Sequence, residues 1–220
     1  ARPQMMAKLV VTPKTLPEII AHRVEHLTGY QNAELAAQYK ALVDKVIAVE
    51  QQKFGKDELA KAVATYYSKL LSYKDEYEVA RLYTSGEFRK NLEKQFEGDF
   101  ELEVHLAPPL LSKRDPLTGR YGKKLFGEGM FSAFHWLAKL KFLRGTPFDV
   151  FGYFPHRKME RELIKDYANM IENVILPALN ADNYDTAVKI AKIPEEIRGY
   201  DVVKDKHVHN AKIKEAQLLA

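Results

Sequence analysis

Two histidines near the start of the chain have a spacing that could bind a metal. His22 and His26 are four residues apart, which places both on one face of a helix, and Glu25 lies between them. A zinc site needs at least three protein ligands, and Glu25 is not at the position where zinc proteases carry their general base. Because no third ligand occurs at a matching spacing, we predict no metal site.

The sequence contains none of the motifs that build a self-sufficient active site. It has no cysteine, which excludes disulfides, thiolate metal sites and cysteine-bound iron–sulfur clusters. Gly127 and Gly129 have no third glycine at the spacing of a dinucleotide or phosphate loop, and no serine stands in a nucleophile elbow. We therefore predict that this chain binds no cofactor and is not catalytic by itself. A small independent enzyme is the least favoured alternative.

A charged cluster at Lys74, Asp75 and Glu76 is the next candidate for chemistry. One interpretation makes Asp75 or Glu76 a general base or a contact to a partner. The other places the cluster on the solvated face of a helix, where Lys74–Glu78 and Glu78–Arg81 would form ion pairs. We favour the second interpretation, because charged residues opposite an apolar stripe are usual on surface helices.

Basic residues are concentrated in one segment, residues 113–144. It contains eight Lys or Arg and two acidic residues, while the whole chain of 220 residues has a net charge of +4. The remainder is therefore net negative, and the chain has a local basic patch rather than the character of a polycation. A solvated hairpin is the simpler interpretation of this patch, and a docking role is the functional one. The cations predicted for docking are Arg114, Arg120, Lys123 and Lys124.

Apolar residues at steps of three and four predict that helices position these groups. The first helix is expected over 15–28, with a capping box at Thr15, and the second over 32–54. The third is expected to run unbroken from an Asp57 cap to Ala80, so that it contains the charged cluster. Further helices are predicted over 85–96, 130–142, 156–176, 185–193, 194–198 and from 203 onward.

The periodicity changes from helical to alternating in residues 99–127. Apolar and polar residues alternate over 100–106, as in a half-buried strand, and 121–126 could form the returning strand. The connection contains a turn-like Asp-Pro-Leu-Thr-Gly and is about a dozen residues long, a length that compact domains usually keep for function. The predicted fold class is therefore mainly α, a multi-helix domain with one small β-hairpin inserted at about 99–127.

Composition and organisation indicate one globular domain. Hydrophobic residues make up 46% of the chain and charged residues 29%, the ordinary balance of a soluble protein. Residues 1–14 begin without an initiator methionine and suit the tail of a linker in a larger protein, so we predict a single domain over 15–220. The apolar run at 5–11, interrupted by Lys8, is too short for a signal peptide or a membrane span, and we expect a cytoplasmic protein.

Five segments, taken together, are similar to a known family. They are YKDEYEVARLY (73–83), FEGDFELEVHLAPPLL (96–111), RGTPFDVFGY (144–153), MERELIKDY (159–167) and PEEIRGYDVVK (194–204). In this order and spacing the chain resembles the C-terminal domain, itself of unassigned role, of the large fused indolepyruvate ferredoxin oxidoreductases. A weaker segment at 16–31 extends the resemblance to nearly the whole chain from Thr15.

The resemblance implies a parent enzyme that oxidatively decarboxylates aryl 2-oxoacids such as indolepyruvate. That enzyme uses thiamine diphosphate and coenzyme A and passes electrons through iron–sulfur clusters to ferredoxin. The family's cofactor-binding modules lie upstream of this domain, so the resemblance transfers no catalytic residue to this chain. The residues for which it suggests structural or interface roles are Lys74, Asp75, Glu76, Arg81, Arg144 and Asp149.

Two functional hypotheses follow. In the first, the chain is an accessory domain that packs on the catalytic modules of the parent enzyme, with ferredoxin as a further candidate partner. In the second, it is an independent binding module that uses residues 113–144 to hold an acidic protein or nucleic acid. Between Lys113 and Gly127 the only rings are Tyr121 and Phe126, which gives little support for stacking on bases, so we expect no nucleic acid and no membrane partner.

Overall fold

The computed structural model describes residues 15–86, 90, 94–95, 104–106, 122, 124–127 and 129–219. The protein is mainly α-helical, as the sequence predicts. Its described residues fall into two compact units, and the sequence analysis predicts neither boundary between them. The described part of unit 1 lies within Lys74–Phe151, and unit 2 consists of Pro13–Tyr73 and Gly152–Ala220. The predicted linker tail, residues 1–14, lies outside the described residues.

The described helices and strands follow one another along the chain. In chain order they are α1 (Leu16–Tyr30), α2 (Ala33–Phe54), α3 (Glu58–Leu71), α4 (Glu76–Thr84), β1 (Val104–Leu106), β2 (Lys124–Phe126), α5 (Gly129–Lys139), α6 (Pro155–Asn169), α7 (Tyr184–Lys192) and α8 (Asp201–Leu219). Short 3₁₀ segments occupy Leu140–Leu143, Val150–Tyr153 and Ile193–Glu196. A π-helical segment, Met170–Ile175, and a last turn, Leu176–Ala178, continue α6.

Local sequence explains where the first helices of unit 2 begin and end. The predicted capping box of α1 is confirmed: the Glu18 carboxylate accepts from the Thr15 N–H at 3.0 Å, and the Thr15 hydroxyl accepts from the Glu18 N–H at 3.5 Å. The Asn32 side chain accepts from the Leu35 N–H at 2.9 Å and so caps α2. At the other end of α2, Gly55 adopts φ 63°, a left-handed conformation that glycine reaches without steric cost.

The centre of unit 2 is α3, which packs against α1, α2, α6 and α7. The apolar seam that the sequence predicts for this helix includes Leu59, Val63, Tyr66 and Leu70. Leu59, Val63 and Leu70 are between 0 and 5% exposed, so the prediction of a core element is confirmed for them, while Tyr66 is half-buried. Burial of such apolar side chains is the main favourable contribution to folding.

A buried carboxylate caps α3. Asp57 occupies the N-cap position, as predicted, but its side chain makes no capping hydrogen bond. Glu50 on α2 is fully buried, and its two oxygens accept from the N–H groups of Leu59 and Ala60 at 2.9 and 2.8 Å. The Tyr184 hydroxyl donates to the same carboxylate at 2.5 Å. A negative charge at a helix N-terminus is favoured by the unpaired N–H groups there.

The single helix predicted over 57–80 is wrong, because α3 ends at Leu71 and α4 begins only at Glu76. Three hydrogen bonds satisfy the backbone in this region. The Ser72 hydroxyl donates to the Ser68 carbonyl at 2.7 Å, and the Tyr30 hydroxyl donates to the Tyr73 carbonyl at 2.8 Å. Asp75 accepts from the Glu78 N–H at 2.8 Å and so starts a new helix.

In unit 1, α4 packs against α5 around a small apolar cluster. Ala80 and Phe134 are buried in it, and Tyr83 stacks on Phe134 with ring centroids 5.8 Å apart. The predicted helix over 130–142 ends earlier than expected, at Lys139, and tightens into the 3₁₀ turn. A 3₁₀ turn has 3.0 residues per turn rather than 3.6, so its side chains depart from the faces of α5, and Phe142 is exposed.

Two short strands of unit 1 pair antiparallel, with Val104 opposite Phe126 and Leu106 opposite Lys124. The structure describes three residues of each strand. The rest of the insertion predicted over 99–127, and most of the helix predicted over 85–96, lie outside the described residues.

Candidate functional site

A buried ion pair joins the start of α4 to the segment after α5 in unit 1. Nε of Arg144 donates to one oxygen of Asp75 at 2.5 Å, and Nη2 donates to the other at 2.9 Å. The side chains are 4% and 3% exposed. The Arg144 guanidinium also lies 5.6 Å from the centre of the Tyr77 ring, in cation–π range. This bidentate geometry is the strongest form of a carboxylate–guanidinium contact.

Asp149 holds the loop that follows Arg144, residues 144–151. One oxygen accepts from the Gly145 N–H at 2.9 Å, and the other accepts from the Tyr77 hydroxyl at 3.2 Å. Gly145 has φ 76°, a left-handed conformation that closes the turn and favours glycine. Burial and the Asp149 carboxylate raise the pKa of Tyr77, so its hydroxyl stays protonated and continues to donate.

A second ion pair lies on α4. The carboxylate of Glu78 accepts from Nε and Nη2 of Arg81 at 2.7 and 2.8 Å, the pair that the sequence predicts three residues apart. Hydrogen bonding to Glu78 raises the pKa of Arg81, which therefore remains a cation. Burial, together with the charges of Arg81 and Arg144, lowers the pKa of Lys141.

The buried carboxylates of this site are arranged for structure rather than for proton transfer. Asp75 is 2% exposed and Asp149 is 3% exposed, and every oxygen of both accepts a hydrogen bond from the protein. A general base must reach a proton on its substrate, which these oxygens do not. Our preference for a solvated helix face is therefore wrong for Asp75, which is an N-cap and half of a buried ion pair.

The 144–151 loop points alternate side chains inward and outward. Asp149 is buried, and the Phe151 ring meets the Tyr77 ring edge-on at 5.3 Å. Phe148 and Val150, on either side of Asp149, are 76% and 58% exposed. A loop anchored by a carboxylate thus presents two large apolar side chains to solvent, which is unusual unless a partner covers them.

The structure brings together some of the residues that the resemblance singles out and not others. Asp75, Arg144 and Asp149 converge around Tyr77, and Arg81 pairs with Glu78 beside them. Lys74 is exposed to solvent, while Glu76, in the first turn of α4, is half-buried.

The basic residues predicted for docking cannot be placed by this structure. Arg114, Arg120 and Lys123 lie outside the described residues, and only the backbone of Lys124 is described, in β2. Arg144 belongs to the same basic segment, but its side chain is buried against Asp75 and is not exposed to a docking partner. Docking through Arg114, Arg120, Lys123 and Lys124 stays a prediction.

The two histidines of α1 have different environments. His22 is exposed, and His26 stacks on Tyr30 at a centroid distance of 6.4 Å. Across the residues that the structure describes, no group of three or more His, Asp or Glu side chains is placed to hold a metal ion. Within the same residues, no helix combines the length and the apolar character needed to cross a membrane.

Sequence reasoning missed the importance of Tyr77 and the break before α4. An Asp followed three residues later by Glu, as at Asp75 and Glu78, is a typical helix-start pattern and could have located the break. No local pattern identifies Tyr77 as the donor to Asp149, because the two residues are 72 positions apart.

Fold and site together describe a mainly α-helical protein in which buried charges position an exposed apolar loop. Residues 16–217 match the model of a family of unknown function, DUF6537, and the chain belongs to that family. No curated protein and no solved structure matches the chain. The family description names no activity, so the resemblance to the oxidoreductases stays a prediction.

Proposed function

We propose that this chain is an accessory helical domain of a thiamine-diphosphate-dependent 2-oxoacid ferredoxin oxidoreductase, of the type that acts on indolepyruvate. In this proposal it packs on the catalytic modules of the enzyme and performs no chemistry itself. The proposal rests on the five segments quoted above, and one feature of the structure supports it.

The supporting feature is that residues from two of those segments bond to each other and together hold the 144–151 loop. Residues 73–83 supply Asp75 and Tyr77, and residues 144–153 supply Arg144 and Asp149. The bonds between these four residues hold Phe148 and Val150 in solvent. Ordering a loop costs conformational entropy, and burying charges costs solvation, so a loop built in this way is best explained by a contact that it must make.

The division of labour in the proposal follows from the composition of the chain. The iron–sulfur clusters require ligands that a chain without cysteine does not supply, so they belong to the other modules. Thiamine diphosphate and coenzyme A are assigned to those modules as well. The same absence of cysteine fits a reducing compartment, and we place the enzyme in the cytoplasm.

The proposal is tested by association. The 220-residue chain and the remaining modules of the oxidoreductase are produced separately and mixed under anaerobic conditions, and binding is followed by sedimentation velocity. We expect a stoichiometric complex. No association at micromolar concentrations of both components contradicts the proposal.

A matched pair of variants tests the loop. Phe148→Ser with Val150→Ser removes the two apolar side chains of the loop, while Tyr200→Ser with Val202→Ser removes two exposed apolar side chains of unit 2. We expect the first pair to weaken the complex more than the second. Equal effects mean that the loop is not part of the contact.

A further inference from the structure

Helix α5 has two faces of different character. Its inward face carries Met130, Phe134 and Leu137, which pack with Ala80 and Tyr83 in the apolar cluster of unit 1. Positions three and four residues apart on a helix share a face, so the outward face is made of a second set. That set is Ser132, His135, Trp136 and Lys139, and Leu140 follows at the start of the 3₁₀ turn.

The outward face contains large apolar side chains that are normally buried. Trp136, the one tryptophan of the chain, is 69% exposed, and Phe142 in the following turn is 62% exposed. Leu140, four residues after Trp136, is exposed too. Exposed tryptophan and phenylalanine are enriched where proteins bind one another, because they bury a large area with little loss of side-chain entropy.

The stretch that carries this surface contains cations and no acidic residue. The sequence from Gly129 to Phe148 contains no Asp or Glu. The stretch contains three cations. Arg144 is paired with Asp75, so Lys139 and Lys141 are the other two. The ammonium of Lys139 lies 4.9 Å from the centre of the Trp136 ring. Cation and aromatic ring therefore form one contact surface.

We propose that Trp136, Lys139, Leu140 and Phe142, the α5 surface, bind an acidic protein surface with an apolar centre on the catalytic part of the same enzyme. This inference rests on the proposed function and names the contact through which it operates. Lys139 attracts the acidic partner at long range, and the three apolar side chains supply the buried area that holds the complex.

Two other occupants fit the observations less well. In a symmetric pair formed by this surface, each copy would bring a further Lys139 and no acidic residue from 129–148, so the positive charge would be left unbalanced. Nucleic acid binds mainly through several phosphate contacts, and the α5 surface contains a single lysine, Lys139. An acidic protein satisfies both the charge and the apolar area.

The single tryptophan provides a direct probe. The 220-residue chain is labelled with 5-fluorotryptophan, so that one ¹⁹F resonance reports on Trp136, and it is titrated with the remaining modules of the oxidoreductase. We expect the resonance to shift on binding and to saturate at one chain per catalytic unit. If the complex forms without a shift, the proposed function stands and the α5 surface is not its contact. If no complex forms, both fail.

Two variants separate steering from burial, and each has a control in unit 2. We expect Lys139→Glu to lower the association rate about 3- to 10-fold at low salt and to have little effect at high salt, because exposed charges are screened. Trp136→Ala should raise the dissociation rate about 10-fold or more, as loss of a central aromatic contact does. Lys189→Glu and Tyr200→Ala change an exposed lysine and an exposed aromatic residue of unit 2. Both rates should stay within about 2-fold, since exposed residues outside the centre of a contact contribute little.

Other outcomes overturn the proposal. Trp136 is exposed, so Trp136→Ala is expected to fold, and circular dichroism verifies this. Equal rates for Trp136→Ala and Tyr200→Ala contradict a role for the α5 surface.

Concentration-dependent dimers of the chain that Trp136→Ala abolishes would assign the surface to a second copy. Binding of the wild-type chain to a DNA duplex at low salt, lost in Lys139→Glu, would assign it to nucleic acid. Slower ferredoxin reduction with unchanged association would assign it to ferredoxin.

Discussion

At the scale of single residues, the most consequential contact is the buried pair of Asp75 and Arg144. Removing two charges from water costs several kcal/mol, and a pair of this kind recovers that cost only with good geometry and further hydrogen bonds. Asp75 has both, because it accepts twice from Arg144 and once from the Glu78 N–H. The pair therefore specifies how α4 meets the 144–151 loop.

Substitution of either partner of this pair should destabilise unit 1. Asp75→Asn keeps an N-cap acceptor but removes the carboxylate charge that accepts twice from Arg144, and Arg144→Met removes both of these donors from the buried Asp75. We expect each to lower the free energy of unfolding by about 3 to 5 kcal/mol, and the double variant to cost less than the sum. Urea melts followed by Trp136 fluorescence, which reports on unit 1, measure this.

The control for this prediction is an exposed pair in unit 2. Lys40 and Asp44 are 2.5 Å apart and both half-exposed, and Lys40→Met should cost less than about 1 kcal/mol. A cost below about 1 kcal/mol for Asp75→Asn as well would mean that the buried pair does not hold unit 1 together.

Residue-level sequence reasoning succeeds only for local pairs. The Glu78–Arg81 pair follows from its spacing of three residues on a helix. The Asp75–Arg144 pair joins residues 69 positions apart, and neither helical periodicity nor capping preference contains that information. The resemblance selects both residues but gives no reason why they should meet.

At the scale of elements, the helices of unit 2 are well predicted because their apolar positions repeat regularly. The break between α3 and α4 is not, because Tyr73 and Tyr77 continue the apolar spacing across it and both are buried. The hydroxyls of Tyr30 and Ser72 donate to backbone carbonyls at this point and so favour an end of α3 here. Periodicity shows which residues are buried, but it does not show whether one helix or two bury them.

The core role of α3 leads to a quantitative expectation. Leu70 is 5% exposed and packs in the core of unit 2, so Leu70→Ala should lower the free energy of unfolding by about 2 to 5 kcal/mol. Leu219→Ala at the end of α8, where the side chain is exposed, should cost less than about 0.5 kcal/mol. Denaturant melts followed by far-ultraviolet circular dichroism measure both. A cost under about 0.5 kcal/mol for Leu70→Ala would place that seam outside the core.

At the scale of the whole molecule, the mainly α fold class is predictable from the sequence, while the division into two units is not. Both unit boundaries fall where the chain continues without a linker-like composition, between Tyr73 and Lys74 and between Phe151 and Gly152. Only the three-dimensional packing of segments distant in sequence separates unit 1 from unit 2. The exposed apolar residues of the α5 surface are hidden from sequence reasoning for the same reason.

The tyrosine-rich core of unit 2 predicts how stability depends on pH. Burial and the bonded Glu195 carboxylate raise the pKa of Tyr66 from 10.0 to about 12, and burial raises the pKa values of Tyr39, Tyr67 and Tyr167. The folded state therefore holds these phenols neutral at a pH where the unfolded chain ionises them. Stability is unaffected below about pH 10 and falls as the pH rises from 10 toward 12.

This alkaline loss is measured by unfolding free energies and by tyrosinate absorbance at 295 nm. We expect the buried tyrosines to ionise cooperatively with the loss of helical circular dichroism. Tyr66→Phe should reduce the slope of stability against pH. Non-cooperative ionisation of all tyrosines near pH 10 with the helices intact would contradict the burial seen here.

The most direct test of the accessory role is a titration of enzyme activity with this chain. The measured quantity is the rate at which the catalytic modules, made without this chain, reduce ferredoxin with indolepyruvate in the presence of thiamine diphosphate and coenzyme A. The account predicts no product from the chain alone and a saturable change in rate, complete at one chain per catalytic unit. Turnover by the chain alone, or a rate that does not respond to the chain at any concentration, would contradict it.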